Sequence, residues 1–80
     1  MVEIKREGDL ATIVTGARID TINAGEFEKE INPILAEQGV NIVLDCNSLD
    51  YISSSGLRVV LKAQKMVSAR KGDMTLTGVK

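Results

Sequence analysis

The run Asn41-Ile42-Val43-Leu44-Asp45 constrains this chain most, because it is a short β-branched and apolar stretch standing between two segments of helix length and helical period. A strand entered from one helix and left through another lies parallel to its neighbours, since such crossovers need a dozen or more residues and are right-handed. Its apolar composition reads as an interior strand buried on both faces.

The flanking segments follow from that centre. From Val2 to Glu7 apolar and charged residues alternate, with Val2, Ile4 and Arg6 on one side and Glu3, Lys5 and Glu7 on the other, as on an edge strand. Gly8-Asp9 supplies two residues of turn chemistry, so Leu10 to Thr15 is expected to return antiparallel in a tight hairpin. Gly16 ends that strand, and Ala17 to Thr21 reads as a loop. Thr21 or Asn23 then caps a helix with early Glu26, Glu28 and Glu30, whose buried stripe is expected to be Ile22, Phe27, Ile31, Ile34 and Leu35. Pro33 inside this pattern predicts a kink or break near Ile31-Asn32, and Gly39 is the stop. Beyond the central run, Cys46 to Ser53 reads as a loop, and a second helix is predicted over Ser55 to Arg70 with Leu57, Val60, Leu61, Gln64 and Val67 at helical spacing. Gly72 terminates it, and Met74 to Thr77 forms a last alternating strand. The order is β-β-α-β-α-β: an α/β fold with a four-stranded mixed sheet in sequence order, the first strand antiparallel and both helices on one face. All 80 residues read as one domain.

Composition removes most alternatives. There is no histidine and only one cysteine, Cys46, so the common zinc sites, the Ser-His-Asp and Cys-His pairs and an internal disulfide cannot be built. A net charge of −1 with one Phe and one Tyr argues against nucleic-acid binding. No apolar run approaches about 18 residues and no signal-peptide pattern opens the chain, so neither a membrane span nor export is expected, and the default compartment is the cytoplasm. Neither phosphate-binding glycine motif is present, and no cofactor is implied.

The stretch Tyr51-Ile52-Ser53-Ser54-Ser55-Gly56-Leu57 is where chemistry could happen. A helix starting here presents unpaired N–H groups and the positive end of its dipole to any anion carried by the serines. Taken alone, such a turn is more often a cap with loop residues around it than a site. From Tyr51 to Gly72 there are five basic residues, Arg58, Lys62, Lys65, Arg70 and Lys71, and no acid. These read mainly as a solvated face suited to the helix C-terminus, with Arg58, one turn in from the serines, close enough to influence a phosphate. Asp20 and Asp45 follow strands, at the sheet end where open α/β folds place function, and together would make the serine loop acidic. As single residues they more often cap turns. Cys46 reads as a buried small apolar residue.

Asn41 to Asp45, then Leu49 to Leu57 with its three serines and glycine, then Gly72 and the closing strand, together with Gly16 and Asp20 ahead of the first helix and Asn32-Pro33 late within it, resemble the STAS domain. More narrowly they resemble the bacterial anti-sigma-factor antagonists, over essentially the whole chain. The resemblance implies a non-enzymatic switch that binds an anti-sigma factor with serine kinase activity when unphosphorylated, is released by phosphorylation, and is restored by a phosphatase. It places the phosphorylated residue at Ser54, two before the motif glycine, and implies partner contacts by Asp20, Ser53, Ser54, Ser55, Gly56 and Arg58. Ser53 stands where some members carry Asp. A phosphate on Ser54 is expected to be accepted by the amides of Ser55 to Arg58. The alternative is a STAS subunit of a membrane transporter complex that is not phosphorylated. The family domain continues past the position of Lys80 with at least one more helix, absent from this chain, so a second copy is expected to cover Met74, Leu76 or the outer helix surfaces as a homodimer.

Overall fold

Alternating residues Glu3–Glu7 (β1) and Leu10–Val14 (β2) pair antiparallel with Glu7 opposite Leu10, in a computed structural model that describes residues 2–79. The first and last positions of the expected 1–80 domain lie outside the described residues. Gly8, at φ 63°, takes the first turn position, which only glycine enters without cost. The chain continues through β3 (Arg18–Ile19), α1 (Ala24–Leu35), β4 (Asn41–Asp45), β5 (Tyr51–Ile52), α2 (Ser54–Ala69) and β6 (Met74–Thr77). The main sheet has the order β1-β2-β4-β6, with β2, β4 and β6 parallel, as the local connections require. Ile13 lies opposite Leu44 and Leu44 opposite Leu76, so one line of side chains crosses the sheet.

Both helices cover the same face. Lys62 of α2 reaches Glu28 of α1 at 2.8 Å, and the Arg70 guanidinium donates at 2.7 Å to the carbonyls of both Leu35 and Val40. Beneath them Ala11, Ile13, Ile42 and Leu44 from the sheet meet Phe27, Ile31 and Leu35 from α1 and Val59, Val60, Ala63 and Val67 from α2 in one buried cluster.

Six expectations change. The loops expected at 17–21 and 46–53 each contain a two-residue strand: β3 and β5 pair in parallel as a second small sheet, Arg18 opposite Tyr51 and Ile19 opposite Ile52. The central strand β4 is buried on one face only, because with both helices on one side Val43 and Asp45 stay half exposed on the other. Helix α1 runs unbroken through Asn32 to Leu35. Pro33 lies in its last turn, and Ala36 N–H still reaches the Asn32 carbonyl at 3.1 Å. Ile22 precedes that helix and is exposed, so it is no part of the stripe. On α2 the buried line is Gly56, Val59, Val60, Ala63 and Val67, while Leu57, Leu61 and Gln64 are exposed. The small residues face inward because this helix lies close to the strands below it. Finally, the left-handed residue that ends α2 is Lys71, at φ 61°. Gly72 N–H bonds the Val67 carbonyl and Lys71 N–H the Ser68 carbonyl, the two closing bonds of a Schellman stop.

Candidate functional site at the start of α2

All three polar groups of Ser53 are in use. Its N–H donates to the Ile19 carbonyl at 2.8 Å, its carbonyl accepts the Leu57 N–H at 2.8 Å, and its Oγ accepts the Gly56 N–H at 3.1 Å. It is extended, with φ −80° and ψ 171°, as an N-cap must be, and it is buried. Ser54 is the first helical residue and is exposed, with no side-chain hydrogen bond among the described residues; Ser55 is half-buried. The amides of Gly56 and Leu57 are thus committed to Ser53, and that of Arg58 belongs to the helix ladder. Those of Ser54 and Ser55 remain for an anion, a narrower set than the expected Ser55 to Arg58.

Gly56 brings the helix start and the small sheet together. A Cβ there would lie 2.6 Å from Ile19 Cγ2, 2.9 Å from Ile52 Cγ1 and 3.0 Å from the Ile19 carbonyl oxygen, so only glycine admits this approach. The motif glycine is therefore a packing residue rather than one that reaches solvent.

Just beyond Ile19, Asp20 organises a turn. Its Oδ1 accepts the N–H groups of Ile22 and Asn23, both at 3.0 Å, while Asn23 Oδ1 accepts the Asp20 N–H at 2.8 Å. Asn23 Nδ2 donates to the Arg18 carbonyl at 3.1 Å, so the expected capping residue spends its side chain on the turn and not on α1. The Asn23 amide foremost, then the Ile22 amide and the Arg18 guanidinium 3.7 Å away, hold the Asp20 carboxyl below its ordinary range against a partial desolvation. Arg18 also stacks over the Tyr51 ring, 4.5 Å from its centroid.

The other candidates are dispersed. Asp45 Oδ1 accepts from Asn47 N at 3.0 Å and Nδ2 at 2.7 Å, a local turn with no bond to the serines. Cys46 is buried as expected, and burial, with the Asp45 charge second, pushes its thiol up. Arg58 is exposed, one turn beyond Ser54, with no side-chain ion pair or hydrogen bond among the described residues. Arg70 is not a solvated cation but the half-buried tie to Leu35 and Val40. Between α2, β5 and the β6 edge lies an apolar groove of 210 Å³, lined by Leu57, Val60, Leu76 and Val79 among others. The Arg18–Tyr51 stack escaped the sequence reading, since helix and strand periodicity give no signal for it, and Ile22, which the helical pattern placed in a buried stripe, is exposed.

The fold and this site define a small α/β module that offers an exposed, unbonded serine hydroxyl, that of Ser54, at a helix N-terminus beside a stapled acidic turn. The STAS domain profile matches residues 1–80, and the chain belongs to the STAS domain family. BtrV of Bordetella bronchiseptica, which bears the name of an anti-sigma factor antagonist, is 36% identical over 76 residues, covering 95% of this chain. The chain spans 65% of the length of that relative. Among solved structures, the anti-sigma factor antagonist SpoIIAA in its unphosphorylated form superposes with a TM-score of 0.78 at 18% identity, covering 95% of this chain and 71% of that one. Phosphorylated SpoIIAA of Bacillus gives 0.76 at 17% identity, covering 92% and 68%. At such identities these two structures speak for the fold.

Proposed function

We propose that this chain is an anti-sigma factor antagonist, a binding module switched by phosphorylation of Ser54. Its partner when unphosphorylated is an anti-sigma factor that is also a serine kinase, and a phosphatase reverses the modification, all in the cytoplasm. The observation that carries the assignment is the division of labour among the serines: Ser53 is buried and spent as the cap, whereas Ser54 is exposed and unbonded. In transfer, Ser54 Oγ bonds to the terminal phosphorus of ATP, ADP leaves, and the hydroxyl proton goes to a base of the kinase, since this chain has no histidine to take it. The phosphate brings a charge of about −1.5 to −2 and meets the Ser54 and Ser55 amides without refolding the helix. Beside Asp20 it makes the surface more acidic and fills space the kinase occupied, so association weakens. Arg58, Asp20, Ser55 and Gly56 support this surface, Gly56 through packing.

The test is incubation with ATP and an anti-sigma-factor serine kinase from the same organism, followed by mass spectrometry. Phosphate is expected on Ser54, and still on Ser54 in Ser53→Ala and Ser55→Ala. Phosphate on Ser53 or Ser55 would refute the assignment, and none on any of the three would favour the transporter-subunit alternative. Separately from the switch, the apolar groove and exposed Leu76 leave apolar side chains uncovered, and we propose that two copies of the chain pair over them. A sedimentation profile that stays monomeric at high concentration would overturn the pairing alone.

A further inference from the structure

Ile22 is 93% exposed, the most exposed large apolar side chain among the described residues. Its backbone is nevertheless fixed. The turn that carries it is closed by four hydrogen bonds, from the amides of Asp20, Ile22 and Asn23 and from Asn23 Nδ2. A rigidly presented apolar group loses little conformational freedom when a partner covers it, which is what favours affinity at an anchor.

Its position relative to Ser54 follows from the strands. In the parallel pair β3–β5, Ile19 lies opposite Ile52, and continuing that register by one residue sets Asp20 beside Ser53. The turn therefore emerges at the same end of the domain as the start of α2. The molecule measures 30 × 20 × 20 Å. A standard interface covers about 800 Å² on each partner, a disc of roughly 16 Å radius. A kinase seated on Ser54 through such an interface covers the turn as well. The Asp20 carboxylate, by contrast, is committed, with Oδ1 shared by two amides and Oδ2 facing Arg18.

We propose that Ile22 is an apolar anchor for the serine kinase that acts on Ser54, seated in an apolar pocket of that partner, and that Asp20 is the positioning residue that holds the turn instead of an ionic contact. This rests on the reading of Ser54 as the phosphate acceptor, and it replaces the direct contact expected of Asp20.

The experiment measures binding of the intact chain to the same kinase without ATP, so that no transfer occurs, alongside phosphorylation of the parent chain with ATP. Ile22→Ala is expected to fold as the parent does and to bind at least about tenfold more weakly, chiefly through faster dissociation, with Ile22→Leu recovering most of the loss. Asp20→Asn keeps an oxygen acceptor without the charge and is expected to bind nearly as the parent, whereas Asp20→Ala loses affinity together with hydrogen-exchange protection at the Ile22 and Asn23 amides. If Ile22→Ala binds within about twofold of the unphosphorylated parent, while the parent accepts phosphate on Ser54 once ATP is added, the anchor is wrong and the function stands. If Asp20→Asn fails as badly as Asp20→Ala while its turn amides stay protected, Asp20 is an ionic contact and the positioning role is wrong. A parent chain that neither binds nor accepts phosphate overturns the functional reading and this inference together.

Discussion

Three adjacent serines meet different fates because each step into a helix changes what the backbone leaves unpaired. Ser53 is the last extended residue and its Oγ is drawn to the Gly56 amide, whereas Ser54, one residue on, is exposed. The sequence locates such a start but cannot assign the cap among identical side chains. Composition alone left Ser53, Ser54 and Ser55 equivalent, and only the family resemblance singled out Ser54. Gly56 shows the opposite limit, since its role lies in what surrounds it. Gly56→Ala is expected to destabilise the domain by about 1 to 3 kcal/mol, the usual range for overpacking, because Ile19, Ile52 and the Ile19 carbonyl must all yield. Urea denaturation measures it, and an unchanged midpoint would show that α2 lifts off the small sheet without cost. Asp20 sets a pH dependence of definite sign. Its carboxyl is depressed in the folded state, so its contribution is fully present above the ordinary carboxylate range and is lost as pH falls through the depressed folded value. Relative to Asp20→Asn, the parent should lose stability on acidification below that ordinary range. Parallel acid unfolding curves for the two chains would contradict the linkage.

Elements were legible where they were long enough to carry a period. The hairpin, the apolar β4 run between two helices and the closing β6 each extend over four residues or more, so the strand order and the parallel directions followed. The strands β3 and β5 have two residues each, too few for any period, and only their mutual pairing defines them. On α2 hydrophobic weight misled: Leu57 and Leu61 dominate by size, but a helix drawn close through Gly56 and Ala63 turns its small residues inward. The junction between the helices was legible only as charge. Arg70 in fact supplies donors to the carbonyl of Leu35, the last residue of α1, where the helix leaves acceptors unpaired, and to that of Val40 just before β4. Arg70→Ala is expected to cost about 1 to 3 kcal/mol by leaving both half-buried carbonyls unmatched. Arg70→Lys should recover only part, since an ammonium cannot reproduce the two-pronged fork. Lys71→Gly should act in the other direction and stabilise by about 1 kcal/mol, relieving a left-handed non-glycine residue. Thermal unfolding of the three variants orders them, and a Lys71→Gly chain less stable than the parent would contradict the stop described for α2.

At the scale of the whole molecule the core and the switch are separate. The buried cluster runs from Ala11 and Ile13 through Phe27 and Ile31 to Val67, between one face of the sheet and the two helices, and Ser54 is no part of it. A charge placed on Ser54 therefore has no packed side chain to displace, and the helix end that receives it is electrostatically suited to an anion. An acid in the first turn of a helix contributes roughly 0.3 to 1 kcal/mol in its favour, and α2 has none there at present. For a domain of this size that corresponds to a rise of a few degrees, on the order of 1 to 8 °C, in the unfolding midpoint. The partner meets the same charge from outside, as added repulsion and bulk beside Asp20, where losing about 1.4 kcal/mol already weakens binding tenfold. Folding and association are thus expected to respond to one charge with opposite signs. Ser54→Asp and the phosphorylated chain should unfold at the parent's midpoint or slightly above it and bind the kinase at least about tenfold more weakly. Calorimetric unfolding and equilibrium binding on the same samples check both halves. A midpoint lowered by ten degrees or more, with altered near-ultraviolet circular dichroism, would mean that the switch works by loosening the fold and not by changing its surface.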